Sequence, residues 1–355
     1  MRKPTHSRRD VLKASAAMAA GVVFAEPLKA AVVQPSAVTP ALIEAARKEG
    51  KISFYTALEL PTSERLGKAF EAKYPGIAVR VERSGAERIF QRIGQEQASR
   101  IYAVDVVCST DPAHFLDWKS KDWVAPYVPE DVSKYFPSEH VDPSGMHATL
   151  CAWLEVIGYN TNLVAREDAP KSYADLLDPK WVGKMVKGHP AYSGTIMTAT
   201  FQIVRELGWG YLEKLAKQKV MQVQSATDPP KKLAIGERAI MADGGEYNLI
   251  QLKEAGQPVE IVYPTEGIPI VIGPNAIFKN APNPNAARLF QCYCFGIECQ
   301  QLISDFGGLR TMHPLVKEKA GRRPFRDIKT MKEDPAGVER MSEEIKTRYS
   351  KLFGV

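Results

Sequence analysis

Three short runs in the 355-residue chain set hydroxyl side chains beside a glycine or a helix start, a pattern suited to holding an anion: Ser84-Gly85, Ser109-Thr110 and Tyr192-Ser193-Gly194-Thr195. Glycine lets a bound group approach the backbone, the hydroxyls donate hydrogen bonds, and the first turn of a helix adds unpaired N–H groups at its positive end. The same atoms also make an ordinary helix cap, so these runs by themselves serve either purpose. Asp111, just ahead of Pro112, reads as a cap. A fourth run, Glu246-Tyr247-Asn248, joins a carboxylate and a phenol to an amide that can both donate and accept.

Such groups act only where the fold brings them together. Apolar periodicity predicts a helix over 39–49, a strand over 51–56, a helix over 62–74 capped by Thr62 or Ser63, a strand over 78–82, a helix over 86–100, a strand over 104–108 and a helix over 112–121. Alternation of apolar strands with helices implies a parallel sheet covered on both faces. A polar, proline-rich stretch at 128–145 leads into a long apolar run at 148–159, ending in Asn160-Thr161. The second alternating set has strands over 185–187, 221–224, 239–242 and 259–263, and helices over 194–207, 210–218, 228–236 and 246–255. Another apolar bridge at 267–272, a helix over 285–306 capped by Asn285, and a polar helical tail over 330–352 complete the chain.

In open α/β sheets, ligands collect beyond the carboxyl ends of the parallel strands. That rule selects Thr56, Ala57 and Leu58 after the first strand, Ser84 and Gly85 after the second, and Ser109, Thr110 and Asp111 after the third. In the second set it selects Tyr192, Ser193, Gly194 and Thr195, then the stretch from Asp243 to Asn248 that contains Glu246 and Tyr247.

Composition narrows the function. Charged residues at 25% and hydrophobic ones at 45% are those of an ordinary globular protein. The net charge of +6 is concentrated at the amino terminus: residues 1–31 hold Arg2, Lys3, Arg8, Arg9, Lys13 and Lys29 against Asp10 and Glu26. The rest is close to neutral, which gives little support to nucleic-acid binding. Ser7-Arg8-Arg9 followed by the alanine-rich run 14–24 resembles a twin-arginine export signal, with cleavage expected after Ala25 or Ala31, and implies a periplasmic location. Five cysteines (Cys108, Cys151, Cys292, Cys294, Cys299) lack metal-ligand spacing and read as buried thiols. There is no nucleophile elbow, zinc-protease helix, Walker A loop or dinucleotide fingerprint, and the six histidines are isolated. No catalytic residue, cofactor or resident metal is expected.

Several runs together resemble one family: D-V-V-C-S-T-D-P at 105–112, G-Y-N-T-N-L-V at 158–164, A-P-K-S-Y-A-D-L-L-D-P-K-W-V-G-K at 169–184, Y-S-G-T at 192–195, P-T-E-G at 264–267 and K-N-A-P-N-P-N-A-A-R-L-F at 279–290. Tyr55-Thr56 and K-Y-P-G-I at 73–77 fit the same pattern. In this order they look like the extracellular solute-binding proteins of ABC importers, in the iron(III)-binding-protein-like group. The resemblance implies an α/β, periplasmic-binding-protein-like fold: two α/β lobes joined by two crossing segments, with the ligand cleft between them. The expected first lobe is 39–150 with 268–310, the second is 151–267, and 311–355 is a helical extension.

By this resemblance the chain is a monomer that binds a small anionic or polar organic solute (phosphonate, phosphate ester or carboxylate) and hands it to an inner-membrane ABC permease. Ferric iron is the first alternative. Iron-binding members resemble one another in a tyrosine pair where this chain has only Tyr247, preceded by Glu246, with Tyr192 as its expected partner. An exported enzyme on the same fold is the second.

Overall fold

The computed structural model describes residues 33–355, so the export signal expected at 1–31 lies outside the described residues. The elements in order are α1 (Pro40–Glu49), β1 (Lys51–Thr56), α2 (Leu60–Lys73), β2 (Ala78–Arg83), α3 (Ala86–Ala98), β3 (Val106–Cys108), α4 (Pro112–Ser120), β4 (Val124–Ala125), α5 (Glu130–Tyr135) and β5 (Ala148–Asn160). Then come β6 (Met185–Gly188), α6 (Gly194–Leu207), α7 (Trp209–Ala216), β7 (Met221–Val223), α8 (Asp228–Ala234), β8 (Ile240–Gly245), α9 (Glu246–Glu254) and β9 (Val259–Val262). The last are β10 (Ile270–Phe278), α10 (Pro284–Phe295), α11 (Ile297–Asp305) and α12 (Pro335–Phe353). None of the described helices is long and apolar enough to cross a membrane.

The strands run in the order β2-β1-β3-β10-β5-β8-β6-β7, with β4 beside β10 and β9 beside β5. Both ends of this path are parallel, β2-β1-β3 at one and β8-β6-β7 at the other. The middle is antiparallel, because β10 and β5 pair with each other and each also pairs into one flanking set. β5 and β10 are therefore the two crossing segments, and the sheet is mixed where the sequence suggested a parallel one. All thirteen residues of β5 are buried, as a strand covered on both faces requires.

One face of β5, read at every second residue, runs from one core to the other along the strand. Trp153 lies in the core with Phe54, Phe70 and Phe290, whereas Ile157 and Tyr159 lie in the core with Tyr173, Trp181 and Leu212. Glu155 falls between them on the same face.

Tertiary contacts move several expected boundaries. α2 starts at Leu60 because Pro61 fits a first turn, where no N–H is needed, so Thr62 and Ser63 lie buried inside the helix and do not cap it. The helix expected over 285–306 breaks at Gly296, whose extended backbone separates α10 from α11. Asn285 does not cap α10. Glu49, at the end of α1, accepts from Asn285 N (3.1 Å), Asn285 Nδ2 (2.7 Å) and Ala286 N (2.7 Å). The tail is less polar than its composition: Val338, Ile345 and Tyr349 of α12 are buried, the first two packing on Met197 and Phe201 of α6. All five cysteines are buried and unpaired, as expected, and burial pushes the Cys108, Cys151, Cys292 and Cys294 thiols up.

Candidate functional site

The exit of β1 is laced to both neighbouring strands. Thr56 O accepts from Ser84 N at 3.1 Å, and Ala57 N donates to Cys108 O at 2.9 Å. The Thr56 hydroxyl accepts from Leu58 N at 3.1 Å, so this buried side chain shapes the loop. These bonds bring the segments after β1, β2 and β3 side by side.

Three helix starts then converge. Gly85 begins α3 with no side-chain cap, so Ser84 does not satisfy the first turn there. Asp111 caps α4 by accepting from Ala113 N at 3.0 Å, and its other oxygen lies 3.4 Å from His114 Nε2. Ser193 caps α6, accepting from Ile196 N at 3.4 Å while sharing a 2.9 Å hydrogen bond with Thr195. A Cβ placed on Gly194 would meet Thr110 Oγ1 at 3.5 Å and Ala86 Cβ at 3.6 Å, so the first turns of α3 and α6 and the residue preceding α4's cap meet across a methyl-sized gap. Beside them the fully buried Ser109 hydroxyl has no hydrogen-bond partner among the described residues.

The other end of the cleft is built by α9. Tyr247 OH donates to Glu59 Oε1 at 3.3 Å, and Asn248 Nδ2 donates to the same oxygen at 3.0 Å. Glu59 stands at the N-cap of α2 in the first lobe, so these bonds join the lobes. Burial, and next the Glu59 and Glu155 carboxylates, push the Tyr247 phenol well above its ordinary value. Gly245 has a steric role here, because a Cβ on it would fall 2.6 Å from Tyr247 Cε1 and 3.0 Å from Asn248 Oδ1.

Three expected ligand groups are used elsewhere. The Glu246 carboxylate is taken by Arg310 (2.6 and 2.9 Å) and by Tyr263 OH (2.5 Å), which leaves it a structural anchor. Tyr192 is 65% exposed and lies against the His189 ring at 5.1 Å, so it does not partner Tyr247. Asp243 is bound in a buried ion pair with Lys187 at 2.5 Å.

Glu59 and Glu155 are the residues that sequence reasoning missed. The strand-end rule stopped at Leu58, one position short of Glu59. Glu155 was hidden in an apolar run; neither of its carboxylate oxygens has a hydrogen-bond partner among the described residues, and burial pushes its pKa well up. Among the described residues no three His, Cys, Asp or Glu side chains form a metal-binding group.

Two lobes, two crossing strands and helix starts facing a shared cleft define the class of periplasmic-binding-protein-like solute carriers. Residues 103–329 match the family of bacterial extracellular solute-binding proteins, and the chain belongs to that family. Members of this kind bind small solutes and work with an ABC permease. An uncharacterized protein of Haemophilus influenzae is 26% identical over 273 residues, covering 72% of this chain and 76% of that one. A probable ABC transporter periplasmic-binding protein of Sinorhizobium fredii is 24% identical over 231 residues, 62% of this chain and 63% of its own length.

Among solved structures, iron-bound HitA from Pseudomonas aeruginosa is similar with a TM-score of 0.73 at 22% identity, covering 84% of this chain and 99% of that one. AfuA from Actinobacillus pleuropneumoniae, with fructose-6-phosphate bound, gives 0.75 at 20%, covering 86% and 99%. At these identities the likeness concerns the fold.

Proposed function

We propose that this chain is the periplasmic solute-binding component of an ABC importer, taking a small anionic or polar organic solute such as a phosphonate, phosphate ester or carboxylate. The single observation that carries this reading is the meeting of the three helix starts at Gly194. The start of α4 is filled by its Asp111 cap, so the uncapped first turn of α3 and the first turn of α6 supply the N–H groups and positive ends that favour a negative group, and the Ser109, Thr110, Ser193 and Thr195 hydroxyls add donors. A solute held there touches both lobes only when they are closed, so its binding energy goes into closure about the β5 and β10 crossings. A permease in the inner membrane then receives the closed form. No covalent step is involved; the solute leaves unaltered.

Calorimetric titration with phosphonates, sugar phosphates and carboxylates tests this. Ser193→Ala combined with Thr195→Ala is expected to weaken binding from several-fold to a hundredfold, at about 0.5–1.5 kcal/mol per neutral hydrogen bond. Unchanged affinity removes the pair from the site.

Ferric iron is a second reading, favoured by the contact of a phenol and a carboxylate, Tyr247 and Glu59, across the cleft. The phenol would have to ionise against burial and a neighbouring negative charge. A visible phenolate-to-iron band on adding ferric salt supports iron; a colourless protein that binds an organic anion supports the first reading.

A further inference from the structure

The loop from His189 to Ser193 joins β6 to α6 and delivers Ser193, Gly194 and Thr195 to the cleft. Its start is fixed: a Cβ on Gly188 would fall 2.8 Å from Ile196 Cγ1, so β6 lies directly on the first turn of α6, and His189 N donates to Val223 O at 2.8 Å. Pro190 has no N–H to offer. Ala191 N donates to His189 Nδ1 at 3.0 Å, and Tyr192 N donates to His189 O at 3.2 Å, so His189 alone receives both N–H groups of the turn. The facing lobe uses the same device in Asp111-Pro112-Ala113, where Asp111 accepts from Ala113 N at 3.0 Å. The two differ in one respect: a carboxyl group keeps an acceptor oxygen in either protonation state, whereas an imidazole accepts only while neutral, and through one nitrogen.

The tail helix encloses the ring. His189 is 4% exposed, Tyr349 of α12 meets it edge-on at 5.1 Å, and its Nε2 lies 3.3 Å from Ser350 Oγ. With Nδ1 accepting, the neutral ring carries its proton on Nε2, which donates to Ser350. The titratable groups facing it are Lys187 of β6, Tyr349 of α12 and Tyr192 of its own loop, and β7 brings none. Lys187 is paired with Asp243, while Lys346 and Arg348 of α12 pair with Glu343 and Glu213. Burial, and next the Lys187 ammonium, hold the imidazole below its ordinary value.

We propose that His189 is a positioning residue of the binding site: by accepting from Ala191 N it fixes the turn that aims Ser193, Gly194 and Thr195 at the solute, and α12 holds the ring in the form that can accept. This inference rests on the reading that the Ser193 run helps to hold an anion. Protonation sets a hydrogen on Nδ1 against the Ala191 N–H, so the turn must open. The formed turn binds that proton less well than the open one, so its contribution is complete above about pH 6.5 and is lost as the pH falls through a lower value.

Isothermal titration calorimetry of the chain with dimethyl phosphate, ethyl methylphosphonate and lactate tests it, since each probe keeps one negative charge from pH 5 to 7.5. Parent affinity is expected to fall severalfold over that range. His189→Ala should bind about two- to tenfold more weakly at pH 7.5, the worth of one hydrogen bond, with a flat profile. His189→Asn should recover most of the loss and stay flat, because its amide oxygen can accept from Ala191 N as Asn160 Oδ1 does from Asn162 N at 2.9 Å. If His189→Ala does not fold, the parent and His189→Asn still give the comparison. A parent profile that matches that of His189→Asn, or an asparagine variant as weak as the alanine one, overturns the inference and leaves the anion reading standing. Nitrogen-15 NMR of the unliganded chain reads the ring directly: a proton on Nδ1 at pH 7.5 overturns the inference whether or not a probe binds. No binding by any probe overturns the anion reading, and this inference with it.

Discussion

Arg310 grips Glu246 through two hydrogen bonds of 2.6 and 2.9 Å, with the two side chains only 4% and 2% exposed. The pair ties the first turn of α9 to the chain beyond α11, and Arg310 reaches on to Glu318 at 2.6 Å. Tyr247 and Asn248 follow Glu246 directly, so their aim across the cleft depends on this anchor. Burial removes the competing water, and removing one partner strands the other charge at a cost of about 3–5 kcal/mol. Arg310→Ala is expected to lose stability on that scale in urea unfolding and to weaken solute binding; a loss below about 1 kcal/mol would show that the pair contributes little.

Gly194→Ala separates stability from binding. The added methyl lands at ordinary contact distance from Thr110 and Ala86, so the closed form accepts it, and alanine is a better helix former than glycine by about 0.5–1 kcal/mol. The same methyl fills the space through which an anion meets the backbone. The melting temperature should hold or rise while affinity falls about tenfold. Parallel loss of both would place Gly194 outside the seat.

Gly245→Ala acts in the opposite sense. The new Cβ would press on the Tyr247 ring at 2.6 Å, which forces that side chain to shift. Overpacking of this kind costs about 1–3 kcal/mol. Weaker binding is expected along with a lower melting temperature, and a crystal structure should show the Tyr247–Glu59 contact opened. An undisturbed Tyr247 in that structure would refute the steric role.

Glu333 gives a pH dependence. Burial, with a smaller effect from Glu139, pushes its carboxyl from 4.5 up to about 7. Between those values the folded chain keeps a proton that the unfolded chain releases. This contribution to stability is therefore complete below about pH 4.5 and is lost as the pH rises through about 7, at no more than roughly 1.4 kcal/mol per pH unit. Glu333→Gln should match the parent near pH 4 and exceed it at pH 8 in thermal unfolding. The reverse order would mean that the parent gains from the ionised form.

Local rules made much of this fold legible. Strand 51–56 and helix 194–207 stand where apolar periodicity and the Ser193 cap place them. Asp111 caps α4 as its position before Pro112 implies. In the site, the strand-end rule reached Thr110, Ser193, Gly194 and Thr195, which meet at one point, and Tyr247 and Asn248, which face Glu59. It failed where a distant residue competes for a local group. Asn285 lost its capping role to Glu49, 236 positions earlier, and Glu246 left the ligand set for Arg310, 64 positions later.

The sequence by itself determined most of the alternation of strands and helices, the two crossing runs and the hydroxyl-rich helix starts, because each rests on neighbours within a few residues; it missed β4 and α5 and the break at Gly296. Only the tertiary structure decided which polar groups remain open to a guest. A carboxylate or amide is open or taken according to what packs against it, and packing joins residues that no spacing rule connects: Glu59 with Asn248, Glu246 with Arg310, Lys187 with Asp243.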